Sequence, residues 1–112
     1  MEITLADVFE LNRVLHILFE QELKYDIKTA YKLYKLINEL DDIERFFFER
    51  VQSLIVNGNS ENDNIIKMSL LMSKVMVSEI SLTLDELMSS DDVVNISSSD
   101  IIILDKILNK NK

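Results

Sequence analysis

The sequence predicts a mostly α protein: a small helical bundle with one long central helix over about residues 27–56, three shorter helices and a short extended segment near 93–96. Three observations lead there. With 112 residues the chain has room for one good core, so residues 1–112 are expected to form a single helical domain. Its 47% hydrophobic and 29% charged content suits a compact globule and excludes a disordered tail. One Gly and no Pro leave too little turn chemistry for a sandwich or barrel, while apolar residues recur at intervals of three and four along most of the chain.

Thr4 opens the first helix: its hydroxyl can cap the free amides, and Asp7 stands three positions on, in the acidic slot of a capping box. Leu5, Val8, Leu11, Val14, Leu15 and Leu18 form the buried stripe, flanked by Phe9 and Phe19. The pattern breaks between Glu22 and Asp26, and Asp26 is suited to cap the next helix. There Ala30, Leu33, Ile37, Leu40, Ile43, Phe47, Val51 and Leu54 step by three or four without a breaker. At 1.5 Å per residue this helix spans roughly 45 Å, longer than a compact domain of this size needs, so it protrudes or pairs with a second copy. Asn57-Gly58 supplies a left-handed C-cap, and residues 59–64 read as a polar loop. A third helix is expected over residues 66–88, with Met68, Met72, Val75, Met76, Ile80, Leu84 and Leu87 inward. Met is adaptable, so this helix can fill an irregular gap or face a partner. Residues 89–92 make a turn, and 93–96 are β-branched enough for a short strand or linker. Ser97, with Asp100 three positions on, caps a last helix that runs through Ile101, Leu104 and Ile107 or Leu108.

A formal charge of -8 repels phosphate backbones and anionic lipid heads, so direct nucleic-acid or membrane binding is not expected. The absence of Cys excludes disulfides, thiolate metal sites and cysteine nucleophiles. Acid at the N-terminus, where a signal peptide needs base, and the lack of a long apolar run point to the cytoplasm.

No catalytic signature emerges, and no cofactor or metal is called for. His16 is the only histidine; an acid–base role would rest on it and carboxylates such as Glu20, a pair that lacks the Glu-x-x-His spacing of four-helix metal sites. Residues 57–64 lack the alternating acids and closing Glu of a calcium loop. Lys24, Lys28, Lys32 and Lys35 share one helical face beside Tyr31 and Tyr34, a pattern able to read single-stranded nucleic acid, but Glu20, Glu22, Asp26 and Glu39 cancel most of that field and make it a salt-bridged solvated face. A transcriptional regulator, which needs a basic recognition helix, is disfavoured for the same reason.

Two features suggest docking. Residues 75–105 hold Glu79, Asp85, Glu86, Asp91, Asp92, Asp100 and Asp105 without a basic residue, an acidic surface able to imitate a phosphate backbone or meet a basic partner, though caps and helix dipoles also account for several of these acids. Phe46-Phe47-Phe48 cannot all face one core, because successive helical residues point about 100° apart. Phe46 and Phe48, with Met72 and Met76, are therefore the candidate partner or homodimer interface, and Glu79, Asp85, Glu86, Asp91 and Asp92 the candidate acidic docking surface.

Leu11-Asn12, Glu22-Leu23-Lys24, Lys28-Thr29-Ala30-Tyr31-Lys32-Leu33 and Ile96 with Asp100-Ile101-x-x-Leu104 resemble a family of small proteins of tailed phages and prophages of Gram-positive bacteria, a domain of unknown function. The resemblance implies a phage setting and an interaction role, and brings no catalytic residues. The expectation is a non-enzymatic protein–protein interaction module, a homodimer in the host cytoplasm. It would dock on a host or phage protein, either as an inhibitor of a defence or nuclease system or DNA mimic, or else as a virion assembly factor.

Overall fold

A computed structural model describes residues 1–54 and 60–109; the expected Asn57-Gly58 cap and residues 55–56 lie outside the described residues. The order is β1 (Glu2–Thr4), α1 (Leu5–Glu20), α2 (Ile27–Leu54), α3 (Ser60–Leu71), β2 (Lys74–Met76), α4 (Leu84–Leu87) and α5 (Ser98–Leu108). The protein is mostly helical, a small bundle with one long helix and a two-stranded sheet. No helix among the described residues is long and apolar enough to cross a membrane.

The anticipated caps form. The Thr4 hydroxyl accepts from the Asp7 amide at 3.1 Å, Asp26 Oδ1 from the Thr29 amide at 2.7 Å and the Ser97 hydroxyl from the Asp100 amide at 3.2 Å. Each satisfies a donor that has no partner within its helix. The stripe of α1, from Leu5 through Leu18, is wholly buried against Leu33, Leu36, Ile37 and Leu40 of α2 and Leu104, Ile107 and Leu108 of α5. Two ion pairs also join α1 to α5: Arg13 to Asp100 at 3.0 Å and Lys106 to Asp7 at 3.6 Å. The Arg13 guanidinium holds the Asp100 carboxyl below the usual range.

Several expectations are corrected. Residues 66–88 are not one helix. The helix begins earlier, at Ser60, so residues 60–64 are helical and not loop, and it ends at Leu71. The chain then pairs antiparallel with β1, with Glu2 opposite Met76, Ile3 opposite Val75 and Thr4 opposite Lys74. Main-chain bonds extend the pairing at both ends, from the Leu5 amide to the Ser73 carbonyl and reciprocally between Met1 and Val77. The three-four spacing misled because Val75, Val77, Ile80 and Leu82 also turn inward along a strand and the non-helical chain after it, and a short apolar run fits either period. In consequence Met68, Met72 and Met76 are exposed, not buried. The sheet lies at residues 2–4 and 74–76 and not at 93–96, which form neither helix nor strand. In α2, Ala30 faces solvent and Thr29 takes the buried position of the first turn.

Candidate functional site

The helices α1 and α2 run antiparallel, and their meeting changes character along its length. Near the end of α1, Leu18 lies by Ala30 and Leu33; in the middle, Asn12 and His16 meet Asp41; at its start, Leu5 and Phe9 come beside Phe47 and Phe48. Three surface features arise from this arrangement.

The first is an apolar recess of about 240 Å³. Leu5 and Phe9 of α1, Phe47 and Phe48 of α2, and Leu70 and Leu71 of α3 line it, and Lys67 adds only its aliphatic stem, so the walls present no polar surface. Of the three consecutive aromatics, Phe47 packs against the core, whereas Phe46 and Phe48 are 65% and 62% exposed. The Phe46 and Phe47 rings meet edge-on, with centroids 5.6 Å apart, the arrangement favoured by aromatic quadrupoles. Met72 is 69% exposed and follows Leu71 directly; Met76, 72% exposed, sits on the sheet face that also carries Glu2, Thr4 and Lys74. Phe48 therefore lines the recess, while Phe46, Met72 and Met76 do not.

The second feature is the acidic set, which divides. Glu86 belongs to the fold: it completes a capping box with Thr83 and pairs with Lys32 at 3.0 Å. The hydrogen bond from Lys32 holds its carboxyl below the usual glutamate range. Asp92 Oδ2 accepts from the Lys24 amide at 3.0 Å and ties the turn to the α1–α2 junction. Glu79, Asp85 and Asp91 are exposed and make no ion pair among the described residues. The sequence hid this division because Glu86, Asp92 and Asp100 find partners in Lys32, Lys24 and Arg13, remote along the chain.

The third is a polar cluster between α1 and α2. His16 Nε2 lies 2.9 Å from Asp41 Oδ1, so its partner is Asp41 and not Glu20. Asn12 is buried; its Nδ2 donates to the same oxygen at 2.8 Å, and its Oδ1 has no hydrogen-bond partner among the described residues. Burial opposes ionisation of Asp41, but the hydrogen bonds from Asn12 and His16 outweigh it and lower the carboxyl. Burial raises neighbouring Glu44, aided by repulsion from Asp41 and opposed by a hydrogen bond from Asn12. Asn12 was visible as a polar residue within an apolar stripe, but Asp41 and Glu44, some thirty residues away, had no such mark. Among the described residues no group of three His, Asp or Glu is placed to hold a metal ion. The cluster can exchange protons, yet it lines none of the recesses described in this fold. No protein-family model, curated protein or solved structure matches the chain.

Proposed function

We propose that the chain is a non-enzymatic protein-binding module that engages its partner through the apolar recess at the C-terminal half of α2, the first partner being a second copy of itself. The observation that carries this reading is Phe48: an aromatic ring 62% exposed at the wall of a recess without polar surface. Exposed contiguous apolar area marks association sites, and aromatics are enriched at their centres. A recess and protruding rings on one surface suit a two-fold interface, in which each copy's Phe46 or Phe48 reaches the other's recess.

The resemblance to phage proteins supports a phage-encoded setting and a further phage or host partner in the cytoplasm. Assembly takes more support from this surface than inhibition through a DNA-like face does, because Glu86 and Asp92 are engaged within the fold. Glu79, Asp85 and Asp91 are left to serve inhibition. Light scattering after size exclusion tests the self-association. The wild type is expected at the mass of two chains and Phe48→Asp at the mass of one. A wild type that elutes as one chain at high concentration, or a Phe48→Asp variant that still elutes as two, overturns it.

A further inference from the structure

The first turns of α2 present an apolar seam to solvent. Residues 27, 31, 34 and 38 recur at intervals of four, three and four, so they form one narrow stripe on the side of the helix away from Leu33, Leu36 and Leu40. Ile27 is 89% exposed, Tyr31 and Tyr34 are each more than half exposed, and Asn38 is exposed too. In heptad terms Ile27 and Tyr34 occupy d positions and Tyr31 and Asn38 occupy a positions. Lys28 and Lys35 then fall at the two e positions along one edge of the seam, and Ala30 falls at g on the other edge. There Ala30 and the half-exposed Phe19 of α1 line a hollow of about 460 Å³. The seam ends after Asn38, where the next d, e and a positions hold Asp41, Asp42 and Arg45, and Arg45 pairs with Asp42.

The sequence predicts that the lysines of this face are salt-bridged. Among the described residues only Lys32 of the α2 lysines has an ion pair, with Glu86. Lys28 makes none, its charge reaching Asp26 only over a longer range. Lys35 rests its ammonium 5.4 Å from the centroid of the Tyr31 ring, which keeps it at the edge of the seam. A second copy of the chain offers these two cations nothing through the same face. In an antiparallel helix pair e positions meet e positions, so lysine would meet lysine; in a parallel pair they meet g positions, here Ala30 and the buried Ile37.

We propose that this seam binds an amphipathic α-helix of another protein, one that carries two acidic residues seven positions apart beside its apolar stripe. Lys28 and Lys35 stand about 10.5 Å apart along α2. Acids spaced by seven on a second helix project from one side with the same repeat, so both carboxylates meet both ammonium groups at once. The partner's apolar side chains pack on Ile27, Tyr31 and Tyr34 and into the hollow beside Phe19. A chain of charge -8 repels acidic ligands in general, so the two lysines select where such a helix lands as well as attracting it. From Asn38 to Phe48 is about 15 Å along the helix, so this reading and that of the Phe48 recess can fail separately.

The test is an amide-resolved NMR titration with a capped three-heptad peptide carrying Leu at a and d and Glu at every e and g. Like charges keep it from pairing with itself, and either orientation brings Glu to Lys28 and Lys35. A second peptide has Lys in place of Glu. The Glu peptide is expected to shift the amides of residues 27–38, and the Lys peptide to leave them in place. In the Lys28→Glu/Lys35→Glu variant the Glu peptide should bind about tenfold more weakly or worse, and the Lys peptide should now bind. Tyr31→Ala/Tyr34→Ala should weaken the Glu peptide to a similar degree, and Phe48→Asp should leave it unchanged. Shifts confined to other residues, equal binding of the two peptides, or a charge-reversed variant that still prefers Glu would overturn the proposal. All four substituted side chains are exposed, so both double variants should fold, and their own amide spectra check that.

Discussion

The two halves of α2 share one helical period and differ in what covers them. Over residues 27–40, Thr29, Leu33, Leu36, Ile37 and Leu40 are buried. This half is tied down by Lys32 to Glu86 and Ser81, and by Glu39 to Ser78, with the Tyr25 hydroxyl donating to the Leu87 carbonyl just ahead of it. From Asp41 to Arg50 no residue is fully buried; Ile43 and Phe47 reach the core only in part, and Phe46 and Phe48 face outward. A continuous apolar stripe therefore says where a helix could be covered, and the rest of the chain decides how far it is. The covered half should govern stability and the uncovered half association.

The sharpest way to break this division is to truncate one apolar side chain in each half. Leu40→Ala removes a fully buried side chain and should cost about 3 kcal/mol in urea unfolding, through lost transfer energy and the cavity left behind. Phe48→Ala should cost less than about 1 kcal/mol under the same conditions, at a concentration where the chain is monomeric. Equal losses would mean that Phe48 is core and that the recess is no docking surface.

Carboxylates sharpen the comparison with a smaller effect. Glu86→Ala removes half of a capping box and the partner of Lys32, and should cost about 1–2 kcal/mol, whereas Asp85→Ala beside it should stay within about 0.5 kcal/mol. The two halves should also answer pH with opposite sign. Glu86 is lowered by Lys32 below its ordinary value of 4.5, so its contribution is complete above that value and is lost as pH falls through the folded-state one. Glu44 is raised by burial above the same ordinary value, so its charge penalises the fold at neutral pH and the penalty disappears as pH falls toward 4.5. Glu44→Gln, whose side-chain oxygen can still accept from Asn12, should therefore raise the urea midpoint at pH 7 and lose that advantage near pH 4. Glu86→Gln should lower the midpoint at pH 7 and converge on the wild type in acid. A Glu44→Gln variant with a constant offset across this range would place its carboxyl in water.

What was legible in the sequence follows from the range of the interactions. Thr4, Asp26 and Ser97 act on amides three residues away, so their caps and the starts of α1, α2 and α5 could be read directly. The triple Phe also announced that some of its rings must leave the core, since helix geometry alone requires it. Residues 72–83 could not be read locally. Within them the strand at residues 74–76 depends on pairing with residues 1–5, and nothing in its own spacing reveals that pairing. The partners of His16, Lys32 and Asp92 lie 25 to 68 residues away, which explains why the acidic surface looked more continuous than it is.

The junction between α1 and α2 allows the smallest and most specific test. Glu22 has φ 52°, the only positive-φ residue other than Gly among the described residues. It follows a helix end closed by bonds from the Gln21 amide to the Leu18 carbonyl and from the Glu22 amide to the Phe19 carbonyl, each 3.2 Å. A left-handed residue after the cap is what allows such an end, and Gly is its usual occupant because a Cβ crowds the carbonyl there. Glu22→Gly relieves that crowding by about 1–2 kcal/mol but also frees the unfolded chain, at a cost of about 0.4–1 kcal/mol. The net gain in thermal or urea unfolding should be about 0.5–1 kcal/mol. Glu22→Ala keeps the Cβ and should show no such gain, which separates backbone strain from the loss of one negative charge. If Ala stabilises as much as Gly, repulsion within an acidic chain is the cause and the left-handed backbone is not. Either way the change should leave the Phe48 surface as it was, because the junction sets where α2 begins and not how its two halves are covered.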